Sequence, residues 1–345
     1  MTAATLLPTT APESDEVSAV RETVRDIAAR CRDTRSGMTE DHLPCWQALH
    51  EAGFTALRDR EDDGSPAAST TLTAVVVEEL AGAVCGAPLV GALLAAELRR
   101  LSGAPAPGPA TVLLSPDLSG LGGGADGVAW DAAAPVRQAL GVDGDQVLLA
   151  RLGPVSDTQD LSRPVAHPDG TPGPTGAILD AEARGRFEAF ARLMLAADLL
   201  GAAGAVLAGA VVYAGQRIQF GVPIGSFQAV QHLCAGAYTQ VEALRSAVLY
   251  GAWSLDSTAD GGSGGESTAA SLVAKAYAAR AGVAVAETAV QVYGGVAVTW
   301  EFAAHRHLRR ALLDAAVFGG AGRSGHELLS LVEHSAAQEE HRGLQ

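Results

Sequence analysis

Residues Tyr213 to His232 read YAGQRIQFGVPIGSFQAVQH and join two long apolar runs. Before them, Arg192 to Val212 carries Ala, Leu and Val almost without interruption, which predicts a helix buried on most of its faces. Gly221, Pro223 and Gly225 then break the pattern: glycine permits positive φ, and proline lacks the N–H that would continue a helix. Beyond this loop, Ser226 or Gly225 is expected to start a second helix, because Val230, Leu233, Ala237, Val241 and Leu244 recur at spacings of three and four. The stretch predicts two antiparallel helices joined by a short turn.

Working outward, a chain of 345 residues exceeds the size at which one core usually stops growing, so two or three domains are expected. A 48% hydrophobic content is enough for a large core, and an 18% charged fraction is low for a monomer, pointing to surface covered by another subunit. The net charge of -15 excludes nucleic acid and anionic membrane as partners, since phosphate surfaces repel it. Cys31, Cys45, Cys85 and Cys234 show no CxxC spacing and read as buried free thiols in a reducing compartment. The first residues, MTAATLLPTTAPESDE, lack the basic start and apolar run of a signal peptide, and the apolar spans fall within patterned helices. A soluble, cytoplasmic protein without a membrane span is expected.

In chain order, residues 1–13 read as a disordered tail. An N-terminal α-helical domain is expected over 14–103, with helices from Ser14 to about Arg32, Cys45 to Ala52, Ser69 to Leu80 and Ala87 to Leu101. Composition changes near Gly103, and a small β domain is expected over 104–181, with short strands at Ala110–Leu114, Gly127–Trp130, Ala134–Leu140, Gln146–Arg151 and Gly176–Leu179. Residues 182–345 are expected to form a four-helix bundle, with helices at about 182–218, 225–257, 267–293 and 303–335 and a flexible loop DGGSGGE at Asp260–Glu266. The bundle carries no Glu-x-x-His motif for a di-metal site, so no metal is expected. His305 and His307, two apart on a helix and flanked by Arg306, Arg309 and Arg310, read as surface or subunit-interface residues on a solvated or salt-bridged face.

The pattern RxQFGxPIxxFQAVxH over Arg217–His232 resembles the helix-turn-helix signature of the acyl-CoA dehydrogenase family. QVYGG at Gln291–Gly295 and WEFAAHRHLRR at Trp300–Arg310 resemble that family's C-terminal domain in order and spacing. The resemblance, which covers about residues 14–335, implies a mostly α fold with a small, shortened middle β domain. It also implies FAD as cofactor, an acyl-CoA or other acyl thioester as substrate, and a homo- or hetero-oligomer. By the same resemblance, Arg217, Gln219, Phe220, Gln228, Gln291, Gly294 and Gly295 would contact the ADP half of FAD. A guanidinium suits a pyrophosphate through paired hydrogen bonds, and glycines let backbone N–H groups approach closely. A helix cap at Arg217 and a plain turn at Gly294–Gly295 are the alternative readings.

Two features depart from the family. The TEPxxGSD-like loop and the strand that pack against the flavin ring are missing, which leaves Trp130 reading as a core residue. The carboxylate that removes the α-proton is also missing: Gly319 stands at one of its two family positions and Ala191 at the other. Glu188, one turn earlier, reads as a helix-surface carboxylate, with Glu301 and Asp314 as other candidate substitutes. Together these features resemble the smaller subunit of actinobacterial heteromeric acyl-CoA dehydrogenases, in which another subunit supplies the base and the flavin-packing domain. An α2β2 enzyme that α,β-desaturates a thioester of a bulky ring or steroid-like acid is implied. The alternatives are recruitment of the fold to a non-redox reaction in specialised metabolism and a non-catalytic structural partner.

Overall fold

The computed structural model describes residues 15–31, 42–105, 107–258 and 264–343. The expected tail at 1–13 and most of the glycine-rich loop at 260–266 lie outside them, as does the side chain of Cys31. Four helices come first: α1 (Asp15–Cys31), α2 (Leu43–Glu51), α3 (Thr70–Gly82) and α4 (Leu89–Ser102). α2 begins two residues earlier than its pattern suggested because Pro44, with its fixed φ, suits a first helical turn; the chain leaves it through Gly53 at φ +83°. α3 is capped twice. Ser69 Oγ accepts the Leu72 N–H at 3.1 Å, and the Asp256 carboxylate, 186 residues on, accepts the Thr70 and Thr71 N–H groups at 2.6 and 3.0 Å.

Six strands follow: β1 (Ala110–Leu114), β2 (Val128–Ala129), β3 (Gln138–Asp143), β4 (Gln146–Ser156), β5 (Val165–Pro168) and β6 (Gly173–Ile178). Their order is β3-β1-β2-β5-β4-β6, and β4 also pairs with β3, so five strands close into a small ring. β4 can serve both neighbours because it is 11 residues long, pairing β3 through Arg151 and β5 from Leu152 across a register shift. Leu113 and five alanines, Ala129, Ala132, Ala139, Ala150 and Ala166, fill one apolar cluster of this ring. The strand expected at Ala134–Leu140 is shifted to 138–143, since Pro135 has no N–H to give a ladder. β5 was not foreseen: Val165–Pro168 is too short to show alternation.

The remainder is helical: α5 (Ala181–Gln216), α6 (Gln228–Ser257), α7 (Gly264–Tyr293), α8 (Ala304–Ala316) and α9 (Ala321–Gly343). Between α5 and α6 lies a hairpin of β7 (Ile218–Gln219) and β8 (Val222–Pro223), so α6 starts at Gln228 rather than at Ser226 or Gly225. The single helix expected over 303–335 is broken at Phe318–Gly319, both at positive φ, giving five helices among the described residues where four were expected. α3 crosses α5 so closely that a Cβ at Gly201 would lie 1.9 Å from the Glu78 carbonyl oxygen. α5 and the segment Gly265–Val298 are long and apolar enough to cross a bilayer by length and composition. However, 67% of the apolar window of α5 is covered by the rest of the chain, as in the core helix of a globular bundle.

Candidate functional site

Arg217 ends α5. Its backbone N–H closes the last turn onto the Tyr213 carbonyl at 2.8 Å, and its own carbonyl accepts from Ile224 N–H at 2.8 Å. The backbone therefore does the capping and leaves the guanidinium exposed, with no hydrogen bond or ion pair to any described residue. Gln219 is exposed on β7, its Nε2 donating only to the carbonyl of Ile218 at 2.8 Å. Phe220 stands 93% exposed at φ +53°, touching only the Phe227 ring edge-on at 6.3 Å among aromatic neighbours. Gln228 is the exposed first residue of α6, where unpaired N–H groups give a positive helix end.

The second block lies at the same end of the bundle. Tyr213, near the end of α5, packs on Tyr293, the last residue of α7, at 5.0 Å, and Phe302 closes the trio at 5.9 and 5.5 Å. Gln291, Gly294 and Gly295 are exposed beside it. Gly294 has φ +66°, and a Cβ built on either glycine would meet nothing within 4 Å, so this backbone is open to an approaching group. All seven expected contact residues thus gather at one solvent-facing end.

The interior is organised in the opposite way. Ala191 is fully buried within α5. The turn at Gly319 faces inward through Phe318, which is 4% exposed, packs edge-on against Phe187 at 5.9 Å and donates its N–H to the Leu118 carbonyl at 2.9 Å. Gly319 itself has φ +86°, and a Cβ there would lie 3.1 Å from Arg323 Cδ. Glu188 is engaged with Arg192 at 3.1 Å, and Arg192 also holds Glu327 at 2.9 Å. Glu301 is exposed, and a hydrogen bond from Thr299 holds its carboxyl below the usual range. Neither supplies an enclosed base. Trp130 is fully buried under the Arg163 guanidinium, 5.1 Å from its ring centroid, as core packing expects.

Sequence reasoning missed a buried charge network between the strand ring, α5 and α8. Arg163 pairs with Asp131 at 3.0 Å and with Asp198, and Asp131 also accepts the Gly91 N–H at 2.9 Å. Arg310 Nε lies 3.5 Å from Asp198 and 3.8 Å from Asp160, while its Nη2 donates to the Cys85 carbonyl at 2.9 Å. Asp314 completes the group. Burial, and then the neighbouring Asp198 charge, raise its carboxyl well above the usual range. Neither of its oxygens has a hydrogen-bond partner among the described residues. Lys275 is equally buried and donates to the Asp314 and Ala315 carbonyls at 2.9 Å, capping α8, and burial lowers its ammonium to about 7. One signal was available: Asp198 is the only charge between Leu193 and Gln216.

The reading of His305 and His307 as surface or subunit-interface residues is corrected. Both are buried, and His307 lies 2.9 Å from the Ala303 carbonyl through Nδ1 and 3.2 Å from that of Gly82 through Nε2. Burial pushes its imidazole down to about 4. Of the two alternatives for the arginine cluster, a solvated or a salt-bridged face, Arg310 takes the second, and it does so in the interior, beside Asp198 and Asp160.

Two family models match the chain: acyl-CoA dehydrogenase, N-terminal domain, over residues 14–101, and acyl-CoA dehydrogenase, C-terminal domain, over 185–323. The acyl-CoA dehydrogenase IpdE2 of Mycolicibacterium smegmatis is 32% identical over 331 residues, covering 89% of this chain and 95% of that protein. The acyl-CoA dehydrogenase FadE34 of Mycobacterium tuberculosis is also 32% identical, over 93% of this chain, but the chain spans only 48% of that protein's length. The fold matches a chain of the ChsE4-ChsE5 complex from Mycobacterium tuberculosis with a TM-score of 0.74 at 20% identity, over 93% of this chain and 98% of the other. The protein belongs to the acyl-CoA dehydrogenase family.

Proposed function

We propose that this chain is the base-lacking subunit of a two-subunit acyl-CoA dehydrogenase, and that it contributes the ADP side of an FAD site shared with its partner. One observation carries the reading: the Arg217 guanidinium is exposed and without a partner among the described residues, beside Gln219, Phe220, Gln228 and the open Gly294–Gly295 backbone, while Gly319 and Ala191, at the two family base positions, are buried and carry no carboxylate. These residues suit a pyrophosphate and an adenosine: a two-pronged donor, a positive helix end, amide side chains and an apolar ring. Gly319 and Ala191 leave both family base positions without a carboxylate, so the base and the flavin-packing domain are assigned to the partner. When bound, the flavin accepts the β-hydride of an acyl thioester as a carboxylate removes the α-proton.

A shared site fits the surface. Ile218, Phe220, Val222, Phe227 and Leu233 are exposed in one short stretch, a density of apolar groups that marks a protein contact. FadE34, about twice the length matched here, has room for a second unit of this size within one chain. ChsE4-ChsE5 is a complex. A cytoplasmic hetero-oligomer with an acyl-CoA dehydrogenase-type subunit follows from the same reading. The test is reconstitution. The chain, a candidate partner carrying the missing carboxylate, and the two co-expressed are each assayed with acyl thioesters and an artificial electron acceptor. Activity in the co-expressed pair alone is expected; turnover by this chain alone would overturn the proposal.

A further inference from the structure

Two cysteines that the fold brings together have no part in the proposed site. Cys45, in the first turn of α2, and Cys85, in the turn between α3 and α4, are 40 residues apart, yet their sulfurs lie 2.9 Å from each other. Bond formation requires the sulfurs to close by only about 0.9 Å, to the ordinary S–S length of about 2.05 Å. The surroundings favour attack by Cys85. Its thiol is lowered chiefly by the Cys45 hydrogen bond, with help from the Ala87 N–H at 3.5 Å and the Arg310 and Arg163 charges, against the opposing effect of burial. The turn that carries it is under backbone strain: Val84, a β-branched residue, sits at φ +51°. Half-buried His42 packs on the same turn, its ring so close to Gly86 that a Cβ there would lie 2.1 Å from Cε1.

We propose that Cys45 and Cys85 form a redox-active dithiol whose oxidant is a hydroperoxide and whose product is an intrachain disulfide joining α2 to the α3–α4 turn. The Cys85 thiol gives up its proton and the thiolate attacks one peroxide oxygen; the O–O bond breaks, Cys85 becomes a sulfenic acid, and the departing hydroxide takes up that proton as the first water. The Cys45 sulfur then attacks the Cys85 sulfur; the S–O bond breaks, and the departing hydroxide takes the Cys45 proton as the second water. Two thiols and one hydrogen peroxide give one disulfide and two waters, with each sulfur losing one electron and the peroxide oxygens gaining two in total. Because Arg310 holds the Cys85 carbonyl at 2.9 Å, the bond links the N-terminal helices to the buried charge network.

The experiment uses the full chain, folded and reduced, with Cys31→Ser and Cys234→Ser in a parallel variant that keeps only this pair. After a brief exposure to hydrogen peroxide at neutral pH and quenching with catalase, the protein is denatured, alkylated and weighed. The expected result in both proteins is loss of two hydrogens and of two alkylatable thiols. The product should be a monomer whose non-reducing digest joins the Cys45 and Cys85 peptides, and dithiothreitol should reverse it. In Cys45→Ser the reaction should stop at a Cys85 sulfenic acid that dimedone traps. Both thiols remaining alkylatable, a bond between chains, or direct passage of Cys85 to sulfinic acid in the unmutated chain would each overturn the proposal.

Discussion

The chain makes the same turn twice. Phe220–Gly221 has φ of +53° and +83°, and Phe318–Gly319 has +54° and +86°. A phenylalanine at positive φ costs about 1–2 kcal/mol wherever it occurs, so something must offset that cost in each case. At Phe318 the offset is visible: the ring is buried against Phe187 and the backbone is bonded to Leu118. At Phe220 the chain supplies almost nothing, since the ring stands 93% exposed. The Phe318 turn is complete within this chain, and the Phe220 turn is the one that the proposed partner subunit would cover.

Substitution should separate the two turns. Phe318→Ala removes a buried ring and should cost about 3–5 kcal/mol in urea or guanidinium unfolding of the isolated chain. Phe220→Ala should change that stability by no more than about 0.5 kcal/mol. In the co-expressed complex it should weaken subunit association by about 1.5–3 kcal/mol, the worth of burying such a ring. Equal effects of both substitutions on the isolated chain would erase the contrast.

The interior has its own test at Asp198. Replacing it with Ala leaves Arg163 and Arg310 buried with one carboxylate fewer, which should cost about 3–5 kcal/mol by the same unfolding measurement. Arg217→Lys, by contrast, keeps the charge and loses the fork. Stability of the chain should not change, while FAD affinity of the complex should fall by about 1.5–3 kcal/mol, roughly ten- to a hundredfold, as read by flavin release.

Much of this contrast was legible in the sequence, though unevenly. Periodicity placed the long helices, and the glycines and proline of Arg217–Gly225 placed the loop that the exposed site is built on. The same glycine signal stands at Phe318–Gly319–Gly320, where the periodicity nonetheless predicts a helix running through to 335. Neighbouring apolar periodicity concealed the break, and the Leu118 carbonyl that holds Phe318 is two hundred residues away in the chain. His305, His307 and Arg310 were misplaced for a related reason. Polar residues on an amphipathic helix read as a wet face, but here that face meets the Gly82 and Cys85 carbonyls and Asp198, which only the tertiary fold brings up to it. Buried polar residues are recognised by their partners, and partners distant in sequence leave no local period.

The smallest expected effects depend on pH. The Asp314 carboxyl is raised in the folded chain, so the unfolded chain ionises first as pH rises above the ordinary carboxyl range. Asp314 therefore subtracts stability progressively with pH, up to its folded value. Asp314→Asn lacks that titration and should gain on the parent protein as pH rises from about 4 toward neutrality in a series of unfolding curves. Lys275, lowered to about 7, has the opposite slope: it adds relative stability as pH rises from about 7 toward 10, which Lys275→Met should flatten.

The proposed division between a finished interior and a nucleotide end completed by a partner is tested most directly by flavin stoichiometry. The chain is purified alone and with its co-expressed partner, and FAD per chain is read from absorbance after denaturation. Well under one flavin per chain is expected for the isolated protein, against a stoichiometric yellow complex that loses flavin on Arg217→Lys. Stoichiometric flavin in the isolated chain, or a complex indifferent to Arg217, would contradict the account.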